Sequence, residues 1–348
     1  MKIIEMQDTG GFNLAGPVAN RLLAANMDPG ALRPWIDPAT NQAFITINGK
    51  NHPVANATLR HDEWKLLDTV LLETTKSRLN GVADLLGRGL KFDIPNGLGT
   101  MILEYEDVSD IAGAQFDMDG VSRSREDTPE YDLKGLPLPI VHKGFSYSAR
   151  VLAASRRSGT PLDTTNGVMS ARKVAEALED LLFNGTGGIT YGGYTIYGYN
   201  NHPNRITANV TNWDDPAKDG EAIVHDILNA ITQLNSAGFY GPFVLYVCTH
   251  WYVKLLDDYK AASDKSIISR LKEITEIQDI KVADKLTDNT ASLVQMTADV
   301  VRMVVGMMPT TVQWETEGGM RQHFKHMAIM VPQIRADQNG HCGVAHLY

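Results

Sequence analysis

Residues 136–185, LPLPIVHKGFSYSARVLAASRRSGTPLDTTNGVMSARKVAEALEDLLFNG, restrict the fold more than any other stretch of this chain. Pro137 and Pro139 supply no ladder N–H, so the extended segment that carries them is an edge or lacks regular pairing. Behind it, Val168, Ala171, Val174, Ala175, Leu178, Leu181 and Leu182 recur at helical spacing. Asp163 and Thr164 offer N-capping oxygens, and Asn184-Gly185 offers a left-handed stop. The spacing predicts one long capped helix over 163–184. The stretch contains no nucleophile, metal cluster or phosphate loop.

Upstream, Thr100–Val108 reads as a strand and Leu136–Tyr147 as its return, with a polar tip between them at Asp117–Tyr131. A two-stranded ribbon of this length is marginal in water and must dock on something. Residues 1–56 are rich in Gly, Pro, Asn and Asp and read as an extended arm, with a short strand at Ala43–Ile47. A leucine- and valine-rich period over residues 58–86 predicts an amphipathic helix capped by Thr58 and stopped by Gly87.

Residues 221–305 read as an α/β unit. A helix is expected at Glu221–Ser236, followed by a buried strand at Phe243–Cys248. Helices capped by Thr249 and started by Ser263 come next, then strands at Ile280–Val282 and Ser292–Met296. Val300–Val305, Thr311–Trp314, Phe324–Val331 and Gly343–Leu347 read as further strands.

Bulk properties exclude several functions. The 348 residues, 43% hydrophobic and 21% charged, can bury a sizeable core. A net charge of −9 argues against a broad electrostatic grip on nucleic acid. Cys248 and Cys342 lack metal or framework spacing and read as free thiols of a reducing compartment. The start, MKIIEMQDTGGFNLAG, lacks the apolar run of a signal peptide, and no stretch nears the ~20 apolar residues of a membrane span.

No residue group reads as a catalytic, cofactor or metal site. Gly185, Gly187, Gly188, Gly192 and Gly193 are not followed by the Lys-Ser/Thr of a phosphate loop. His323 and His326 sit on an alternating stretch, where i and i+3 face opposite sides. Cys248, Thr249 and His250 are adjacent and do not converge on one atom. Glu104, Glu106, Asp107 and Asp110 read as a solvated strand face. Arg156 and Arg157 suit carboxylates of another subunit better than DNA phosphates. Arg123, Arg125, Glu126 and Asp127 at the ribbon tip carry both signs of charge and are candidates for charge pairing between subunits.

The order of segments resembles the major capsid proteins of tailed phages with the Hong Kong 97-type fold, in particular their encapsulin-like branch. The resemblance rests on LPLPIVHKGFSYSAR (136–150), LDTT (162–165), ARKVAEALEDLLFNG (171–185) and VVGMMPTTVQWETEGGMRQHFKHMAIMVPQIRADQNGHCGVAHL (304–347). It implies an α+β fold with an N-terminal arm at 1–57, an N-terminal helix and linker at 58–94, and an E-loop hairpin at 95–148. A P-domain follows at 149–221 with its spine helix at 163–184, then an A-domain at 222–305 and P-domain return strands at 306–348.

The implied function is structural, not enzymatic. The subunit would self-assemble into hexamers and pentamers of an icosahedral head around double-stranded DNA, with no membrane contact. Implied partners are copies of itself, a portal protein, scaffolding and decoration proteins, and DNA held by weak non-specific contact. The implied location is the virion capsid, assembled in the bacterial host cytoplasm. An encapsulin-type shell around a cargo enzyme is the alternative. Lys134 and Lys143 are the only lysines in 95–148 and neither lies at the tip, so the family's lysine cross-link is not carried over.

Overall fold

The computed structural model describes residues 35–37, 43–47, 50–53, 69, 71, 80–108, 118, 128, 131–158, 164–186, 190–260, 265–337 and 340–348. In chain order come β1 (Trp35–Ile36), β2 (Ala43–Ile47), β3 (Lys50–Pro53), α1 (Asn80–Gly87) and β4 (Lys91–Asp93). Next are β5 (Ile102–Val108), β6 (Tyr131–Pro137), β7 (Val141–Ser148), α2 (Ala149–Ser158) and α3 (Thr165–Asn184). Then follow β8 (Thr190–Tyr191), β9 (Tyr194–Thr195), β10 (Ile206–Ala208), α4 (Gly220–Ser236), β11 (Phe243–Val247) and α5 (Thr249–Lys254). Last come α6 (Ile267–Lys272), β12 (Ile277–Val282), β13 (Ala291–Gln295), β14 (Val301–Thr316), β15 (Arg321–Ile334) and β16 (Val344–Leu347).

The chain divides into two units. The first takes Met1–Met101, Leu138–Asp180 and Met303–Val331. Its sheet runs β4-β14-β15-β7, with β4 parallel to β14 and β7 antiparallel to β15. β7 is an edge strand, as Pro139 just before it requires. Tyr147 on β7, Leu152 on α2 and Phe324 on β15 form a buried cluster, and Phe145 stacks on Phe324.

Trp35 of β1 packs on this same cluster. The described part of the expected N-terminal arm therefore behaves differently from an extended strap. β1, β2 and β3 pair antiparallel into a small sheet, and an aromatic anchor joins it to the chain's own core.

Helix α1 is fastened at its N-terminus by a carboxylate from α3. The amides of Gly81 and Val82 donate to Glu179 Oε1 and Oε2 at 2.7 and 3.3 Å. Glu179 is 4% exposed. Orphan N–H groups of a first helical turn favour negative charge, so a buried carboxylate is stabilised there. Glu179→Ala is expected to cost about 2 kcal/mol in urea unfolding, the value of charge-assisted hydrogen bonds lost to buried donors. Hydrogen exchange at Gly81 and Val82 should accelerate; unchanged exchange there would refute the role.

The second unit takes Ile102–Pro137, Leu181–Arg302 and Pro332–Tyr348. Its mixed sheet runs β10-β16-β13-β11-β12. All five residues of β11, FVLYV, are buried, as expected for an uninterrupted apolar run covered on both faces. α4 buries Ile223, Val224, Ile227, Ala230, Ile231 and Leu234, one stripe of its circumference. The long helix α3 ends as its sequence predicts. Gly185 has φ +65°, and its amide donates to Leu181 O at 3.0 Å.

Several expectations are corrected. Leu136–Tyr147 is two strands: β6 pairs with β5, whereas β7 pairs with β15. The LPLP punctuation separates them because Pro139 cannot continue a ladder. β16 pairs with β13 and β10, so the last strand belongs to the sheet of the 222–305 region and not with β14 and β15. Cys248, not Thr249, is the N-cap of α5, and that helix stops at Lys254, before a bridge between Asp258 and Ser266. α6 starts after Ser266, whose side chain accepts from Ser269 N. Of the helix expected over 58–86, Thr69, Leu71 and residues from Asn80 onward are described, and all are helical.

Candidate functional site

The β5–β6 ribbon is the least self-sufficient element of the second unit. Its register pairs Ile102 with Pro137, Leu103 with Leu136, Glu104 with Gly135, Tyr105 with Lys134, Glu106 with Leu133 and Val108 with Tyr131. Directly opposed residues share a face and alternate along each strand. One face therefore carries Leu103, Leu136, Tyr105 and Lys134. The other carries Ile102, Gly135, Glu104, Glu106, Leu133 and Tyr131.

The β8–β9 hairpin covers the root of that second face. A Cβ on Gly135 would sit 2.4 Å from Tyr194 Cε2, and one on Gly192 would sit 2.6 Å from Ile102 Cδ1. Further out the cover ends. Leu133 is 53% exposed and Tyr131 64% exposed, beside exposed Glu104 and Glu106. The ribbon thus offers two apolar side chains to solvent on a face whose root is already buried.

Sequence-predicted contact residues fall in two groups. Arg123, Arg125, Glu126 and Asp127 lie outside the described residues, as does most of the expected tip. Arg156 and Arg157 both lie on α2, and Arg157 is exposed; the side chain of Arg156 is outside the described residues. Tyr131 and Leu133 went unnoticed among the contact candidates because the sequence reading starts the return strand at Leu136, whereas β6 already begins at Tyr131.

His323 and His326 have separate partners. His323 Nε2 lies 2.8 Å from Thr316 Oγ1 and stacks on Trp314. His326 Nδ1 lies 2.8 Å from Thr311 Oγ1 in the interior. Among the described residues no three His, Cys, Asp or Glu gather to hold a metal ion. Both cysteines are free and buried, and burial pushes the Cys342 thiol up to about 12. No described helix is long and apolar enough to cross a membrane.

Two histidines of the second unit carry a pH signature. Burial, reinforced by Lys134 and Arg205, lowers His202 to about 4. Burial, reinforced by Arg205, lowers His346 to about 4. The unfolded chain would protonate both near 6.5, so it binds more protons than the folded chain between the two values. Stability is therefore full above pH 6.5 and falls as pH drops toward 4, by on the order of 2 kcal/mol per histidine after solvent screening. Urea midpoints measured across this window should show the loss, and a His202→Gln/His346→Gln double variant should flatten it. An equally steep wild-type-like loss in the double variant would exclude these groups as its source.

The chain is 25% identical over 200 residues to the Type 1 encapsulin shell protein EncA of Myxococcus xanthus, covering 57% of this chain and 63% of that one. It thus spans less than two thirds of that relative's length. The structure superposes on a virus-like particle protein from Pyrococcus furiosus with TM-score 0.57 and 21% identity, covering 82% of this chain and 99% of the other. It also superposes on the capsid of Myoviridae Phage XM1 with TM-score 0.58 and 13% identity, covering 77% and 91%. The fold is therefore the Hong Kong 97-type α+β fold of phage capsid proteins and encapsulin shells. Within that class, the chain belongs to the family of unknown function DUF6260, whose profile matches residues 54–347.

Proposed function

We propose that the chain is the structural subunit of an icosahedral phage head, arranged in hexamers and pentamers around double-stranded DNA. The carrying observation is the ribbon, whose outer face leaves the apolar side chains of Leu133 and Tyr131 more than half exposed. A ribbon of two strands gains stability by lying on another surface, and in a shell that surface is a second copy. Contact residues Arg123, Arg125, Glu126, Asp127, Arg156 and Arg157 would add charge pairing between copies. The net charge of −9 suits weak, non-specific contact with packaged DNA. A portal protein, with scaffolding and decoration proteins, would complete the particle, and the subunit would reside in the virion after assembly in the bacterial host cytoplasm.

A second reading, an encapsulin-type nanocompartment around a cargo enzyme, is favoured by the identity to the Myxococcus xanthus shell protein. The 56 residues ahead of the expected first long helix, and the long ribbon, favour the phage head. Expression of the full chain, alone and with its neighbouring genes, followed by negative-stain microscopy, is expected to yield closed particles of uniform diameter. Nuclease-protected DNA in particles from the native source would support the phage head, and a co-purifying enzyme the nanocompartment. A chain that stays monomeric in every preparation would defeat both.

A further inference from the structure

The second unit contains a cleft of about 270 Å³ at the ribbon root. It is lined by Tyr105 and Lys134 from the ribbon, by Tyr197, His202 and Asn204 from the loop after β9, and by Gln333 from β15, among others. No Asp or Glu is among its lining residues. In a chain of net charge −9 this is a local inversion of sign.

The donors around it are oriented. Tyr105 and Lys134 stand opposite each other in the ladder and so share the ribbon's other face. His202 Nδ1 accepts from Asn204 N at 3.2 Å, so the neutral ring carries its proton on Nε2, a donor. Gln333 Oε1 accepts from Arg302 Nε at 2.6 Å, which fixes the amide with Nε2 as its donor end. That Nε2 is buried, with no partner among the described residues, and Gln333 is 1% exposed. A buried unsatisfied donor is costly, so a missing acceptor is the expected explanation. The positive field extends beyond the lining. Arg205 and Lys134 both act on His202, and Arg335 acts on Arg302.

We propose that this cleft binds a phosphate group. Side chains bearing ammonium, phenol, imidazole and amide donors line it, from the ribbon, the loop after β9 and the end of β15. A tetrahedral oxyanion accepts from several directions, whereas a carboxylate accepts mainly in one plane. A bound phosphate would link both ribbon strands to the His202 loop and the end of β15, and would stiffen the ribbon at its root. The recognising chemistry is the same for a free phosphate and for one carried on a nucleotide. The site stands whether or not the chain forms a shell, so its failure and the failure of the shell reading are separately visible.

The test is calorimetric titration of the full chain with inorganic phosphate, and separately with AMP, against chloride at matched ionic strength. Saturable binding of either is expected, with slower hydrogen exchange across Leu103–Tyr105. Tighter binding of inorganic phosphate would identify a free-anion site, and tighter binding of AMP a phosphoester site; both support the proposal. Lys134→Gln should weaken binding by at least about tenfold, the equivalent of one charged hydrogen bond. Asn204→Asp, which places a carboxylate in the cleft, should abolish it, and Lys143→Gln, on β7, should leave it unchanged. Phosphate no better than chloride, or Lys134→Gln binding like wild type, would overturn the site. A Lys134→Gln chain that binds phosphate normally yet fails to assemble would assign Lys134 to a carboxylate of a second copy and overturn it as well.

Discussion

Gly97→Ala is expected to destabilise the first unit by at least about 3 kcal/mol, the upper range for overpacking a filled site. An added Cβ would lie 2.2, 2.3 and 2.4 Å from the O, Cα and C of Gly306. These are backbone atoms of β14, so no rotamer change relieves the clash. The crossing is reciprocal, since a Cβ on Gly306 would meet Gly97 Cα and Ile329 Cγ2 at 2.9 Å each.

The segment around Gly97 is held close to β14 on one side and turned on the other. Ile94 N donates to Val305 O at 2.9 Å, and Gly99 N donates to Asn96 Oδ1 at 3.0 Å. This segment delivers the chain to Met101, immediately before the ribbon strand β5. A displaced segment would therefore compromise the ribbon as well as the sheet. Gly87→Ala is the control: nothing lies within 4 Å of its added Cβ, and it is expected to be neutral or mildly stabilising at the end of α1. Urea unfolding of both variants settles the matter, and a Gly97→Ala chain within about 0.5 kcal/mol of wild type would refute the close crossing.

The second large effect concerns assembly and not folding. Tyr131→Asp combined with Leu133→Asp is expected to leave the subunit's stability within about 0.5 kcal/mol of wild type, because both side chains are exposed. The same change should abolish particles. Covering a large apolar side chain is worth about 1.5–3 kcal/mol, and the variant replaces that gain with the cost of burying two unpaired carboxylates. The penalty recurs at every copy in a closed shell. Size-exclusion chromatography and microscopy should show a folded, unassembled subunit with unchanged circular dichroism. Wild-type particle yields from the double variant would remove the ribbon face from the assembly surface.

Local elements were legible where one side of a segment meets the core. The helix α3 could be placed from its apolar spacing and its Asn184-Gly185 stop, and β11 from its continuous apolar run. Boundaries were less legible where capping chemistry is permissive. Thr249 has the better capping side chain, yet Cys248 occupies the cap without a side-chain bond. The contact residues proposed from charge at the ribbon tip and on α2 came from composition. The apolar pair Tyr131 and Leu133 emerged only with the observed start of β6 and with the β8–β9 hairpin covering the root of their face, both settled by contacts between distant segments.

By itself the amino-acid sequence determined most segment types, the long helix and the likeness to shell-forming proteins. Periodicity and special backbone residues act over a few positions, and a sequence displays them directly. Only the tertiary structure decided which distant segments meet. It placed β7 against β15, β16 beside β13, Glu179 on the first turn of α1, Trp35 on the Tyr147–Phe324 cluster and Gly97 against Gly306. Each of these joins residues far apart in the chain, where side-chain type constrains the partner weakly. The choice is made by the close packing of the whole interior, in which one arrangement satisfies the buried polar groups and fills the space at once.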